Sequence, residues 1–248
     1  MKSRNYVYRI IAAVVVLVLS FALFTGCSEN SSSVSSEDWS SAESRSSVIV
    51  EPISEESLFN STVSVYSGSG NYGMGFAYTD GYIVTCYHII YDSEEIEVET
   101  YRHEKYPANL VGYDSDSDMA VLQIDLALEP LAIGDRDSLK DGDVLMVIGN
   151  PDGLSSFTRS EGRVFSHETE LVGKIDPEKQ YIWTDVDAVT GYSGGPVFDS
   201  SRKLVGIQEV KYIGDLSELD ITSLCGMIPI NRVKPVIDGI ISGSLPQD

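Results

Sequence analysis

The sequence has few cysteines and few basic residues, and each scarcity excludes a class of protein. Its 248 residues include three cysteines, which are too few for a disulfide scaffold, and no CxxC pair that would indicate zinc. Seventeen Lys and Arg stand against 38 Asp and Glu, so the formal charge is −21, and no basic cluster is present. Because phosphate binding needs a basic surface, we expect no nucleic-acid partner. The hydrophobic share of 42% is that of an ordinary globular protein.

The N-terminus is predicted to be a targeting segment. Three basic residues precede an apolar run, 10–24, that is broken only by Ser20. This length is typical of a signal-peptide core and is short of the roughly 20 residues that span a bilayer. The run ends at Gly26-Cys27, which resembles a bacterial lipoprotein cleavage box, so we assign 1–27 as a signal peptide with lipidated Cys27. The alternative is an uncleaved signal anchor, and both place the rest of the chain at the outer face of the cell membrane.

Composition divides the rest of the chain. Residues 28–57 contain 13 serines, seven acids and one base, which indicates a disordered tether with little apolar surface to bury. A folded body is predicted over 58–242, followed by a tail, 243–248. The predicted parts of the body are an N-terminal barrel at about 58–130, a C-terminal barrel at about 131–230 and a helix at 231–241.

The body is rich in short β-forming segments separated by Gly, Asp or Pro. Six and six such segments indicate two antiparallel barrels or sandwiches rather than βαβ units. Besides the last helix, for which Asn231 is the expected N-cap, we predict a helical turn at 88–91. The predicted strands are 62–66, 75–78, 82–85, 96–100, 109–114, 119–124, 144–148, 160–166, 181–184, 196–198, 204–210 and 225–229.

The strongest motif is Gly191-Tyr192-Ser193-Gly194-Gly195-Pro196. A serine between glycines is open to approach, and backbone N–H groups can converge there on a developing oxyanion. The pattern GxSxG also marks the nucleophile of α/β-hydrolases, in which the histidine follows the serine. All three histidines of this chain precede Ser193, so the order excludes that fold.

His88 and Asp118 are the best candidates for a base and the acid that orients it. His88 follows an apolar strand-like segment and so lies at the end of a rigid element, whereas the other two histidines have charged neighbours. Within Asp114-Ser115-Asp116-Ser117-Asp118, only Asp118 directly precedes an apolar run, and the other acids are assigned to a wet turn. A calcium loop is disfavoured because its sixth position should be glycine and is Met119. We therefore predict His88 as general base, Asp118 as orienting acid and Ser193 as nucleophile.

The order His, Asp, Ser is that of the trypsin-like double barrel. Together with their flanking segments, these residues resemble the HtrA/Deg group of trypsin-like proteases over residues 62–236. The segments that carry the resemblance are Gly73-Met74-Gly75-Phe76, Asp80 to Thr85 before His88, Asp116 to Leu122, Ile133-Gly134-Asp135, Gly142-Asp143, Val147 to Leu154, Thr184-Asp185, Gly191 to Pro196 and Leu204 to Ile207.

The resemblance implies an all-β fold of two six-stranded antiparallel barrels, with the triad in the cleft between them and a short C-terminal helix. It implies a serine endopeptidase that cleaves exposed or misfolded polypeptide outside the cytoplasm and uses no cofactor and no metal. By analogy, the backbone N–H groups of Gly191 and Ser193 form the oxyanion hole, and the edge strand at 204–210 pairs with extended substrate. The oligomeric state stays open.

The resemblance leaves two alternatives for the pocket that holds the residue before the scissile bond. Asp187 lies six positions before Ser193, where trypsin has the carboxylate that selects Lys or Arg. The HtrA/Deg relatives instead present a small apolar pocket, so we expect small or medium apolar residues to be preferred. The predicted pocket residues are Asp187, Ala188, Ile207, Gln208 and Gly226.

The chain departs from the family pattern around its motifs. Tyr192 precedes the serine where the family usually has Asn, and Cys86 and Tyr87 stand before the histidine where Asn is common. The chain ends soon after the predicted last helix, so no PDZ domain is expected. A catalytically silent or effector-gated relative that holds polypeptide in its cleft is the alternative to an active enzyme. Cys86 and Cys225 lie in apolar segments and are expected to be free thiols.

Overall fold

The computed structural model describes residues 52–154, 156–166, 180–212, 216 and 221–245. The predicted signal peptide with Cys27, most of the predicted tether and His167 lie outside these residues. Within the described ranges, no helix is long and apolar enough to cross a membrane.

The first half of the described chain is a seven-stranded antiparallel sheet. β-branched and aromatic residues are frequent in its central strands, whose consecutive residues are almost all buried. The sheet is ordered β5-β4-β1-β2-β3-β7-β6. Its strands are β1 (Thr62–Ser67), β2 (Tyr72–Thr79), β3 (Tyr82–Cys86), β4 (Ile96–Thr100), β5 (Lys105–Pro107), β6 (Asn109–Asp114) and β7 (Met119–Gln123).

The second half is a closed six-stranded antiparallel barrel, ordered β10-β13-β12-β11-β8-β9. Within the described residues, β12 pairs with β13 as far as Lys211 but with β11 only as far as Ile207. Within these residues, the end of β12 is therefore paired with a neighbouring strand, β13, on one of its two sides. The barrel strands are β8 (Val144–Gly149), β9 (Thr158–Ser166), β10 (Ile182–Thr184), β11 (Pro196–Phe198), β12 (Leu204–Lys211) and β13 (Cys225–Pro229).

The described chain also contains three α-helices, α1 (Glu55–Asn60), α2 (Tyr87–Ile90) and α3 (Ile230–Ser242), and two 3₁₀ turns, Arg136–Ser138 and Pro151–Gly153. In α3, apolar residues at helical spacing are buried against both halves of the molecule, and Gly243 ends the helix in the left-handed region at φ 68°. The N-cap of α3 is Pro229 rather than Asn231, which lies in the first turn and donates to Asp137 Oδ1 at 3.3 Å.

The predicted all-β, trypsin-like fold is confirmed, with two corrections. The N-terminal half is an open seven-stranded sheet rather than a closed six-stranded barrel: β5, a short strand ending in Pro107, adds a seventh strand beside β4, and β5 and β6 form the two edges. The folded body also begins before residue 58: Ser54 caps α1 by accepting a hydrogen bond from the Ser57 N–H, and Leu58 is buried.

Candidate active site

Asp118 holds His88 through both of its carboxylate oxygens. Oδ2 lies 2.6 Å from Nδ1 of the imidazole, and Oδ1 accepts a hydrogen bond from the His88 backbone N–H at 2.8 Å. The Asp118 carbonyl also accepts from the Tyr87 N–H at 2.9 Å, so one aspartate fixes the start of α2. Its φ of 59° is left-handed, a region that aspartate enters more readily than most residues. A carboxylate at Nδ1 favours the tautomer that leaves the lone pair on Nε2.

The two side chains differ in exposure in the way that a base and its orienting acid require. The His88 side chain is 49% exposed, whereas that of Asp118 is 9% exposed. The other acids of this segment behave as a turn: Asp114 Oδ2 accepts from the backbone N–H and the hydroxyl of Ser117. His103 lies apart, with its Nδ1 3.0 Å from Glu99 Oε1.

Ser193 lies in a turn that is hydrogen-bonded to both halves of the molecule. Its carbonyl accepts from the Met74 N–H of β2 at 2.7 Å, and the next residue, Gly194, donates to the Gln208 carbonyl of β12 at 2.8 Å. The Ser193 hydroxyl donates to the Glu209 carbonyl at 3.1 Å. The Ser193 turn is thus hydrogen-bonded to the part of β12 that extends beyond its pairing with β11.

The histidine and serine segments meet at β12 and at Gly73. Cys86, two residues before the histidine, has its Sγ 3.9 Å from the Gln208 carbonyl oxygen, next to the carbonyl that accepts from Ser193. A Cβ on Gly73 would overlap the Ile89 side chain and approach the Ser193 carbonyl, so only glycine fits between the two segments. The structure therefore places His88 and Asp118 in direct contact, and it brings the segment that carries His88 against the segment that carries Ser193.

Asn150 positions the loop before the nucleophile, a role that the sequence analysis did not assign. Its backbone N–H donates to the Gly191 carbonyl at 3.0 Å, and its fully buried side chain donates to Ser64 Oγ at 3.0 Å and Tyr66 Oη at 3.1 Å. Gly191 has a φ of 97°, and a Cβ there would overlap the Asn150 carbonyl oxygen. Within the described chain, the backbone N–H groups of Gly191 and Ser193 donate to no protein acceptor. The sequence signal that could have indicated this role is the polar residue Asn150 in the Gly149-Asn150-Pro151 motif, directly after an apolar strand.

The five predicted pocket residues differ in exposure. Asp187 lies at the surface, where its side chain is 77% exposed and Oδ1 is 3.3 Å from Lys211 Nζ. In contrast, Ala188 and Ile207 are buried in the two apolar clusters of the molecule. Asp187, the acid that would select Lys or Arg, is therefore exposed to solvent, whereas the apolar pocket candidates are buried.

Gln208 and Gly226 form a buried unit between β12 and β13. Gln208 is 3% exposed, and its side-chain amide donates to the carbonyls of Val210 at 3.1 Å and Gly226 at 3.4 Å. A Cβ on Gly226 would press on Val210 and on the Tyr181 ring. In this arrangement, Gln208 holds the strand end that carries the Glu209 carbonyl, and its role as a substrate contact stays a prediction.

The buried side of the site is electrostatically negative. Burial first, and then the charges of Asp118 and Glu209, raise the pKa of the Cys86 thiol well above its ordinary value. Burial likewise raises the pKa of Tyr181, helped by the charge of Glu209 and a hydrogen bond to it. Glu209 was not predicted as a site residue, because an acid in an apolar strand-like run gives no sequence signal of what it faces. Cys86 and Cys225 are both buried free thiols, as predicted.

Comparison with known proteins agrees with this geometry. Residues 73–207 match the family model described as a trypsin-like peptidase domain. The chain is 34% identical over 172 residues to a probable periplasmic serine endoprotease, DegP-like, of Chlamydia trachomatis, covering 68% of this chain and 34% of that one. It is 33% identical over 202 residues to the serine protease Do-like HtrA of Bacillus subtilis, covering 76% and 44%. It is 34% identical over 176 residues to Protease Do-like 1, chloroplastic, of Arabidopsis thaliana, covering 68% and 39%.

The chain spans less than half the length of these three relatives, between 34% and 44% of each. The matched family segment nevertheless covers more than half of the 248 residues and contains the three predicted triad positions. The resemblance to the HtrA/Deg group is confirmed, and the chain belongs to the trypsin-like peptidase family.

Proposed function

We propose that this chain is a serine endopeptidase that cleaves exposed or misfolded polypeptide with His88, Asp118 and Ser193. The observation that carries the proposal is the pair of hydrogen bonds that one buried carboxylate accepts from the ring and the backbone N–H of His88. This arrangement fixes the imidazole and stabilises the imidazolium that forms when the ring takes a proton.

The reaction begins at the Ser193 hydroxyl. A hydroxyl has one proton, and this proton is directed to the Glu209 carbonyl in the structure, so the hydroxyl turns toward His88 before attack. Nε2 of His88 then takes the proton as Ser193 Oγ adds to the scissile carbonyl, and returns it to the leaving amine. Water completes the cycle by hydrolysing the acyl-enzyme with the same base.

The surrounding backbone supplies the remaining functions. The N–H groups of Gly191 and Ser193, which the described chain leaves without protein acceptors, would stabilise the oxyanion. The end of β12, residues 209–211, has a ladder partner on one side and would pair with extended substrate on the other. Main-chain pairing of this kind needs an extended peptide, which favours unfolded substrates.

Cleavage of an unfolded polypeptide tests this proposal. β-Casein and a stably folded protein are incubated with the full-length chain, with Ser193→Ala and with Ser201→Ala, an exposed turn serine in the same barrel. We expect casein cleavage by the parent and the Ser201 variant, and none by Ser193→Ala, because losing the nucleophile of a triad costs about 10⁶ in rate. Casein that is bound but not cleaved by the parent would support the silent, polypeptide-binding alternative.

We also propose that the protease body acts outside the cytoplasm, tethered to the membrane by lipid on Cys27. The support is the signal-like segment before Gly26-Cys27 and the similarity to the Chlamydia trachomatis protein, a probable periplasmic endoprotease. Metabolic labelling with a fatty-acid analogue should be lost in Cys27→Ser and kept in Cys225→Ser. Label that persists in Cys27→Ser would contradict lipidation and leave the signal anchor as the tether.

A further inference from the structure

We propose that Cys86, His88 and Asp118 form an inhibitory binding site for a Zn²⁺ ion. One potential ligand atom from each of these residues lies within 4.8 Å of the other two. No other group of three such side chains occurs in the part of the chain that the structure describes. The inference rests on the proposed function, because two of the three ligands are the proposed base and its orienting acid.

The donor set fits zinc in chemistry and in size. Zinc prefers a sulfur, an imidazole nitrogen or a carboxylate oxygen, at roughly 2.0–2.3 Å, in tetrahedral coordination. Ligands around such an ion lie about 3.3–3.8 Å apart, so small side-chain rotations would bring these three atoms to binding distance. Three protein ligands leave a fourth position for water on the exposed side of His88, whose side chain is 49% exposed.

The charges around the three ligands favour a divalent cation. Asp118 and Glu209 both act on the Cys86 sulfur with negative charge, and Cys86 and Asp118 are buried. A divalent cation bound between these residues would therefore be attracted by the nearby carboxylates and would neutralise their buried negative charge. When it binds, the Cys86 thiol loses its proton to solvent and the thiolate becomes a ligand.

Zinc at this place would stop catalysis. If the ion binds Nε2 of His88, it occupies the lone pair that must accept the Ser193 proton. If it binds Nδ1, the neutral ring carries its proton on Nε2 and can no longer accept one, and the bond to Asp118 is replaced. Either mode removes the base. Cys86 stands where the resemblance implies a common Asn, so the sulfur ligand belongs to this chain's own sequence.

Metal binding is tested first without any activity readout. The full-length chain is titrated with Co²⁺ as a spectroscopic substitute for Zn²⁺, and the absorbance band of thiolate-to-cobalt charge transfer is followed. We expect a band that excess Zn²⁺ removes and that is present in Cys225→Ser, the other buried free cysteine. We expect no band in Cys86→Ala. If that variant does not fold, Cys86→Ser, which keeps the side-chain size, takes its place.

Inhibition is then measured on peptide cleavage. Zn²⁺ should inhibit the parent and Cys225→Ser, and a chelator should restore activity. Cys86→Ala should need at least roughly 10–100-fold more Zn²⁺ for the same fractional inhibition, the loss that even an outer-shell partner causes. Absence of a cobalt band in the parent, or an equal band in Cys86→Ala, would overturn the site. Equal zinc inhibition of the parent and Cys86→Ala would also overturn it. A chain that binds Co²⁺ through Cys86 but cleaves nothing would keep the site and contradict only the proposed function.

Discussion

The ring of Tyr192 lies against Gly149, so closely that a Cβ on Gly149 would overlap the ring carbons. The Tyr192 residue is 5% exposed, and its hydroxyl lies 2.9 Å from Thr158 Oγ1. The residue directly before the nucleophile is therefore anchored inside the C-terminal barrel, where its ring joins an apolar cluster. Packing of this ring therefore helps the backbone hydrogen bonds of the turn to hold Ser193 in position.

Enlarging Gly149 should displace this loop. We expect Gly149→Ala to lower the free energy of unfolding by about 1–3 kcal/mol, the usual cost of overpacking, and to reduce kcat/KM. Tyr192→Phe keeps the ring and loses only the contact with Thr158, so it should cost about 1 kcal/mol. Urea denaturation and peptide cleavage measure the two effects. A Gly149→Ala variant as stable and as active as the parent would show that the ring does not hold the loop.

Removing the Asn150 side chain should weaken the link between the two halves. Its amide donates to both Ser64 and Tyr66, so Asn150→Ala leaves the buried Ser64 oxygen and the partly buried Tyr66 oxygen without that donor and should cost about 1–3 kcal/mol. Because these side-chain bonds fix the place of the Asn150 backbone, whose N–H donates to the Gly191 carbonyl, we expect kcat to fall more than KM changes. Tyr66→Phe, which removes one partner only, should have a smaller effect on both. Equal kinetics in Asn150→Ala and the parent would contradict the positioning role.

Peptides that differ only in the residue before the scissile bond test the specificity. Asp187 is exposed and close to Lys211, so its charge is solvated and partly neutralised at the surface. We therefore expect Ala or Val to be preferred over Arg, with little change in Asp187→Ser. A preference for Arg that disappears in Asp187→Ser would instead place Asp187 in the pocket.

Stability at high pH should depend on Tyr78. Burial and a hydrogen bond with Asp238 raise the pKa of Tyr78 to about 12, whereas an unfolded tyrosine ionises near pH 10. Between these two pH values, Tyr78 stays neutral in the folded state but ionises in the unfolded state. The contribution of Tyr78 to the free energy of unfolding is therefore complete below pH 10 and is lost as the pH rises toward about 12. In Tyr78→Phe, the free energy of unfolding should fall less over this range than in the parent. Identical slopes of unfolding free energy against pH would contradict this assignment.

The sequence predicted the parts of the fold that rest on local patterns. Strands with strong β-forming runs, such as Ile96–Thr100 and Cys225–Pro229, have the bounds that the sequence indicates. β5 was missed because Lys105-Tyr106-Pro107 is short and partly polar, and it is a strand only because β4 offers an edge. Helix α1 was missed because its serine and acidic residues continue the composition of the predicted tether.

In the candidate site, too, some features follow from local sequence patterns and others depend on tertiary contacts. The order of His88, Asp118 and Ser193 and the residues that flank them are sufficient to predict their roles. The contributions of Asn150 and Glu209 depend on which side chains and carbonyls meet across 86 and 16 residues of sequence, and no local pattern carries that information.

Covalent labelling by a fluorophosphonate tests the central claim most directly, because this reagent reacts with a serine only where a base activates it. The full-length chain, Ser193→Ala and His88→Ala are treated in parallel, and peptide mass spectrometry locates the adduct. We predict one adduct on Ser193 in the parent, none in Ser193→Ala and strongly reduced labelling in His88→Ala. An unlabelled parent, or an adduct that persists in Ser193→Ala, would contradict the assignment of Ser193 as a nucleophile activated by His88.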